Sequence, residues 1–282
     1  MNRYPTGVFL LDSLLNGGFP AGVSEIYGSD ACGKTTLCLS VMREASLRGL
    51  NSCFISTEGL PDKEYFQACG LDDCMAVVPY SGEAGIDAAF HSILGGAKVV
   101  VIDSVTSLGT ILDDRAPLGS YVPYSKRRLA YHGLSVLRET AKSKGALVLV
   151  TSQIRTHFGR YGASQRAALH DTIGPLCDTR LRIRRDETRN QFGKLFYIKA
   201  EIQLKKSLVS PPNTKTYGFI FNGKGFDRGF ELLRYLLATG SMEKRGAYIK
   251  SASGDTVGQG FFEAAKTINE NFDYYRSMAD GS

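Results

Sequence analysis

The sequence predicts an α/β protein: a mostly parallel central sheet with helices on both faces, followed by a small α+β unit. Three observations point there. Short aliphatic runs with no polar side, such as Val99-Val100-Val101-Ile102, recur along the first 150 residues, as expected of strands buried on both faces. Between them, apolar residues fall at helical spacing, the alternation that builds parallel βαβ units. After about residue 178 the pattern changes to charged and apolar residues in turn, as in strands with one face wetter than the other.

Taken in order, Ser24-Glu25-Ile26-Tyr27 reads as the first buried strand, and Leu37, Val41 and Ala45 mark the helix after it. Cys53-Phe54-Ile55 is a second strand. Ile86, Phe90 and Ile93 mark a helix ahead of the strand at 99–102. Leu129, Ala130, Gly133, Leu134, Leu137 and Ala141 form another helical stripe, followed by a strand at 146–150. Arg180, Arg182 and Arg184 then alternate with Leu181 and Ile183, and short strands are expected near 197–204 and 217–221. All three are read as antiparallel additions to the sheet edge. Past Gly225 the chain reads as a separate unit. It has a helix with Phe226, Phe230, Leu233 and Leu237 that ends near Gly240, and a hairpin turning at Gly254-Asp255. A last helix carries Phe261, Ala265, Ile268 and Phe272. The expected division is therefore 1–224 and 225–282.

A length of 282 residues suits one large domain with a small satellite. With 43% apolar and 22% charged residues the chain has the make-up of a soluble globular protein. No apolar run reaches the roughly 18 residues a membrane span needs, and the first residues carry no apolar signal region. The expected location is cytoplasmic, with no membrane partner. The six cysteines, at 32, 38, 53, 69, 74 and 177, lack the pairing of a metal site and read as reduced thiols. Net charge is +6, yet residues 155–206 alone carry twelve Lys/Arg against five Asp/Glu. That concentration fits a polyanion partner or, equally, a solvated basic face.

Gly28-Ser29-Asp30-Ala31-Cys32-Gly33-Lys34-Thr35 matches the phosphate-loop pattern G-x-x-x-x-G-K-[ST] without a mismatch, after a strand and before a helix. The glycines let backbone N–H groups curl around phosphate oxygens, and the helix N-terminus adds its positive end. Lys34 would reach the outer phosphates of ATP, and the Thr35 hydroxyl would ligate Mg2+. Asp103, at the end of an aliphatic strand, is the carboxylate expected in the Mg2+ shell. Hydrolysis also needs a group that orients water. Glu58 and Gln153, each just beyond a strand, are both candidates.

From Tyr4-Pro5-Thr6-Gly7 to Gly260 the chain resembles the bacterial RecA recombinase family. The most specific pieces are Glu25-Ile26-Tyr27-Gly28 leading into Cys32-Gly33-Lys34-Thr35-Thr36, then Ile102-Asp103-Ser104-Val105 and Ser152-Gln153-Ile154-Arg155. Gly246-Ala247-Tyr248 and Gly258-Gln259-Gly260 resemble parts of the family's small C-terminal domain. The resemblance implies a RecA-like P-loop ATPase core. It makes Glu58 the residue that activates water, Asp62 and Tyr65 the adenine contacts, and Gln153 the sensor of the γ-phosphate. It also implies two DNA-binding loops, at about 115–124 and 154–174. Arg128 would contact DNA beside the first, and Arg155, Phe158, Arg160 and Tyr161 in the second, where cations and aromatics suit phosphates and unstacked bases.

Three departures from the family pattern stand out. The match begins within the first few residues, so the helix and strand that pack on a neighbouring subunit are expected to be missing. The short start also fits a phage-encoded or otherwise divergent member. Of two family lysines that reach a neighbour's ATP, Lys205 matches the first and Ser207 the second. Lys206 is one position off and would face the other side of its strand. An acidic tail is absent, which would leave DNA binding less restrained. The implied activity is a DNA-dependent ATPase that assembles as a helical filament on single-stranded DNA and exchanges strands with double-stranded DNA. The competing readings are a RecA-like regulator or mediator without strand exchange, and a P-loop enzyme indifferent to DNA.

Overall fold

The aliphatic runs lie side by side in the middle of one sheet. The computed structural model describes residues 2–59, 62–72, 74–115, 124–159, 162–191 and 194–280. β1 (Arg3–Tyr4), α1 (Phe9–Leu14) and β2 (Phe19–Pro20) lead into β3 (Gly22–Gly28) and α2 (Lys34–Ser46). β4 (Ser52–Ser56), α3 (Lys63–Ala68), β5 (Met75–Val77), α4 (Gly82–Leu94) and β6 (Val99–Asp103) follow. A 3-10 turn (Val105–Ser107) and α5 (Ile111–Arg115) precede the long α6 (Ser125–Lys144). Then come β7 (Leu147–Gly159), β8 (Gly162–Ala167), α7 (His170–Ile173), β9 (Thr179–Gln191), β10 (Lys194–Lys206), β11 (Lys215–Phe221) and β12 (Gly225–Phe226). The chain closes with α8 (Arg228–Ala238), β13 (Met242–Arg245), β14 (Tyr248–Ser251), β15 (Thr256–Gln259), α9 (Gly260–Glu270) and α10 (Phe272–Asp280).

Among the described residues the main sheet has the order β12-β11-β10-β9-β3-β7-β6-β4-β5, with β8 paired to the far end of β7. The six strands from β9 to β5 run parallel, so their C-terminal ends open along one edge, where ligands of such sheets bind. β10, β11 and β12 are antiparallel additions, as the alternation suggested. β9 differs from expectation: it pairs parallel with β3. Its arginines are compatible with that interior place because Arg180 stands opposite Glu25 and its Nε donates to Glu25 Oε2 at 2.5 Å. A buried charge is tolerated where it is paired.

Alternate residues of the parallel strands enter two cores. Ile26, Phe54, Val101, Leu149 and Leu181 pack with α1, α2 and α3, and Cys53, Ile55, Val100, Ile102 and Val148 with α4 and α6. Ser81 caps α4 by accepting from Ala84 N at 3.1 Å, and Asp227 caps α8 from Phe230 N at 2.9 Å, each worth about 1 kcal/mol. A third core joins Tyr197, Phe219 and Phe221 of the antiparallel strands to α8, α9 and the β13–β15 sheet. The last predicted helix is two: α9 ends before Asn271, and Phe272 opens α10.

The stretch expected as a loop over 154–174 is built differently. Ile154 continues β7, and pairing runs from Ile154–Ala167 to Gly159–Gly162 as an antiparallel hairpin, with α7 beyond it. Extended backbone paired to extended backbone needs no apolar periodicity, and glycines flank the reversal.

Candidate nucleotide and nucleic-acid site

At the open edge of the sheet, the ends of β3, β4 and β6 and the middle of β7 gather the glycine loop, Glu58, Asp103 and Gln153. Two of the loop's glycines are required by space and by conformation. Gly33 sits at φ 101°, and a Cβ there would collide with Ile220 Cδ1. At Gly28 a Cβ would meet the Ile183 carbonyl oxygen and Cys32 Sγ. Ser29, Asp30 and Ala31 form the exposed crest. Arg185 of β9 donates to the Ala31 carbonyl at 2.7 Å and so holds the crest from outside. Cys32 is wholly buried, and burial pushes its thiol above the ordinary value. It is a packing atom, not a nucleophile.

The Lys34 side chain is only 11% exposed. Its ammonium donates to the carbonyls of Gly28 at 3.1 Å and Ser29 at 2.8 Å, folded into the loop where phosphate oxygens would be met. Asp30, 3.9 Å away and 85% exposed, adds little through water. Thr35 Oγ1 donates to Asp103 Oδ2 at 2.6 Å, and Thr151 donates to Asp103 Oδ1. The two candidate metal residues thus meet, and a hydroxyl beside a carboxylate is a hard oxygen pair that suits Mg2+. Among the described residues no three His, Cys, Asp or Glu gather to hold a metal alone. The pair fits an ion that takes the rest of its shell from phosphate and water.

Glu58 stands across the cleft. Its Oε1 accepts from Ser104 Oγ at 2.6 Å and Ser107 Oγ at 2.7 Å. Partial burial pushes the carboxyl up, but the two hydroxyls and the Lys34 ammonium outweigh it and leave the group below its ordinary value. It is therefore a carboxylate at neutral pH, able to accept a proton or orient water. Gln153 is fixed through its backbone: its N–H donates to Thr106 Oγ1 at 3.1 Å and its carbonyl accepts from Ala168 N at 2.8 Å.

Thr36 follows on α2 and its Oγ1 lies 2.7 Å from the Tyr65 hydroxyl, which burial pushes up to about 12. Asp62 is the residue before α3, and its side chain makes no capping bond. Lys205 stands apart from the loop, its ammonium donating to Asn213 Oδ1 at 2.8 Å. Lys206 points elsewhere, to the carbonyls of Gly174 and Pro175, both at 3.2 Å. Arg128 is exposed near the start of α6, with Tyr124 and Tyr131 exposed on the same helix end. Arg155 is exposed on β7 and pairs across the hairpin with Arg166. Phe158 lies on β7, its side chain outside the described residues. Arg160, Tyr161 and residues 116–123 also lie outside them.

Sequence reasoning missed Ser104, Thr106, Ser107, Thr151 and Arg185. The run Ser104-Val105-Thr106-Ser107, three hydroxyls directly after a strand-end carboxylate, was the available signal for the first three.

A parallel sheet with a glycine loop at the end of one strand and a carboxylate at the end of another defines a P-loop nucleotide-binding core. A family model described as the RecA N-terminal domain matches residues 1–227. Protein RecA of Lactobacillus acidophilus is 29% identical, over 99% of this chain and 78% of that protein. Protein RecA of Teredinibacter turnerae is 30% identical, over 98% and 82%. The chain belongs to the RecA family. The crystal structure of the RadB recombinase has the same fold, with a TM-score of 0.61 at 23% identity, covering 79% of this chain and 98% of that one. Members of the family in general bind ATP with Mg2+ and hydrolyse nucleotide. Among the described residues no helix is long and apolar enough to cross a membrane.

Proposed function

We propose that this chain is an ATP-dependent recombinase of the cytoplasm. It binds single-stranded DNA, assembles on it as a filament, promotes homologous pairing and strand exchange with double-stranded DNA, and hydrolyses ATP faster when DNA is bound. The observation that carries this reading is the course of β7. One strand runs from the core, through Gln153 at the phosphate site, into the hairpin that bears Arg155 and Arg166. A residue that senses the γ-phosphate there would pass its state directly to a basic surface.

The loop amides and Lys34 would hold the phosphates, Thr35 and Asp103 the Mg2+, and Asp62 and Tyr65 the base side. Bound ATP would supply the phosphoryl group that is transferred and the charge that orders the site. Glu58 would orient the attacking water through Oε2, since Oε1 is taken by two hydroxyls. Arg128, Arg155, Phe158, Arg160 and Tyr161 would meet the DNA, and Lys205 would reach a neighbouring subunit's nucleotide.

The test is ATP hydrolysis with and without single-stranded DNA at low and moderate salt, followed by pairing of an oligonucleotide with homologous duplex. Salt-sensitive stimulation and a joint product support the proposal. Turnover with no joint product moves the chain to the regulator reading, which Ser207 at the second lysine position favours. Turnover indifferent to DNA removes the DNA partner.

A further inference from the structure

The 3-10 turn Val105–Ser107 lies between the two residues on which hydrolysis would depend, and it touches both. Ser107 is exposed, and among the described residues its hydroxyl bonds to Glu58 Oε1, at 2.7 Å, and the Ser104 hydroxyl, at 3.3 Å. A surface hydroxyl with those two partners does nothing for the core. Its effect is to fix which way the Glu58 carboxylate points. One residue earlier, Thr106 Oγ1 accepts the Gln153 N–H, at the point where β7 leaves the core for the hairpin. The start of the turn is itself locked to the end of β4: Ser104 N donates to Thr57 Oγ1 at 3.0 Å, and Thr57 Oγ1 donates to Ser104 O at 2.8 Å. The ends of β4 and β6 and the middle of β7 are thereby joined through Thr57, Ser104, Thr106 and Ser107.

We propose that Ser107 and Thr106 are positioning residues, and that the turn they occupy makes the Glu58 carboxylate and the Gln153 backbone move as one unit. This rests on the reading of Glu58 as the residue that orients water. Ser107 holds Oε1 so that Oε2 is presented to the cleft. Without it the carboxylate keeps only the Ser104 hydroxyl and swings about that single bond. A carboxylate that samples several directions loses rate and leaves nucleotide binding as it was, because the groups read as holding the phosphates are the loop amides and Lys34. Thr106 ties the same turn to β7, so a displacement of Gln153 reaches Glu58 through a rigid three-residue path. A shared path is a claim about energetic coupling, which a double-mutant cycle measures.

The experiment is steady-state ATP hydrolysis with Mg2+ and a single-stranded oligonucleotide, on Ser107→Ala, Ser107→Thr, Thr106→Val, the Ala/Val double variant and Glu58→Gln. Loss of one hydrogen bond to a charged group predicts that Ser107→Ala lowers kcat about tenfold, with KM for ATP within about twofold of wild type. Ser107→Thr, which keeps the hydroxyl, restores kcat to within about twofold. Thr106→Val lowers kcat as well, and the double variant falls by clearly less than the product of the two single losses. If Ser107→Ala turns over like wild type while Glu58→Gln is inactive, the positioning role is overturned and the reading of Glu58 stands. A rise in KM without a fall in kcat, or no rescue by threonine, overturns it too. Losses that multiply fully overturn the single-unit claim. Wild-type turnover by Glu58→Gln overturns the reading beneath.

Discussion

Glu231 gives the sharpest test of the packing. It lies on α8 with no exposed surface, and its Oε1 accepts Phe219 N at 2.7 Å across to β11. Its Oε2 is buried without a hydrogen-bond partner among the described residues. Burial, helped by Asp227, pushes the carboxyl up to about 8 from an ordinary 4.5, against the pull of the Phe219 N–H and Arg234. Below pH 4.5 both the folded and unfolded chains hold this proton, so the site carries no penalty. Between 4.5 and about 8 the unfolded chain releases it and the folded chain keeps it, so stability falls as pH rises. The full gap corresponds to roughly 5 kcal/mol, and relaxation around the charge would leave about 2–4. Glu231→Gln keeps an acceptor for Phe219 N and removes the titration. It is expected to match wild type near pH 4. Near pH 8.5 it should be more stable by about 2–4 kcal/mol, or about 4–10 °C in melting temperature. Asp12, which burial pushes up to about 7, gives both proteins the same background slope. Thermal and urea melts at the two pH values read the difference. A variant equally stable relative to wild type at both would refute the assignment of a neutral buried acid.

Three further outcomes follow from the site and core. Lys34→Ala removes the ammonium that fills the loop, and ATP turnover should fall at least about 100-fold; near-normal turnover would cancel the site assignment. Arg160→Ala with Tyr161→Ala should weaken single-stranded DNA binding by about 2–4 kcal/mol, measured by fluorescence anisotropy, and leave nucleotide affinity intact; unchanged DNA affinity would mean that the interface lies elsewhere. Arg180→Ala leaves Glu25 buried without its partner and should cost about 3–5 kcal/mol in urea unfolding, with much of it recovered by pairing Glu25→Gln with Arg180→Met. A double variant no better than the single would show that the pair is not the source of the loss.

Much of this fold was legible because buried parallel strands have a composition of their own. Val99 to Ile102 could face apolar surroundings on both sides only between two helical layers, and that is where they lie. The phosphate loop was legible for a different reason: its glycines answer to backbone geometry that no other residue meets as well. β9 was misread since its arginines looked like a wet face, and the partner that makes Arg180 an interior residue is Glu25, 155 positions away. No local pattern announces such a pair. The roles of Ser107 and Thr106 are invisible in the sequence for a related reason. A hydroxyl's role is set by what the fold brings within 3 Å, and serines and threonines after a strand are common in turns. The hairpin over 154–167 was hidden because its pairing is carried by backbone, with polar residues along both strands.

The third hydrophobic core bears on where the chain can be cut. The RecA N-terminal match stops at residue 227, in the step between β12 and α8. Phe219 and Phe221 lie 5.3 Å and 5.1 Å from the Phe230 ring on the far side of that point, and Phe196 lies 4.9 Å from Phe262. A protease nick or stop codon there would strip a cluster of aromatic rings bare along an antiparallel edge, the kind of surface on which chains adhere to one another. Residues 228–280 therefore cover an apolar face of the nucleotide-binding core, and a version cut at 227 would lay that face open to solvent.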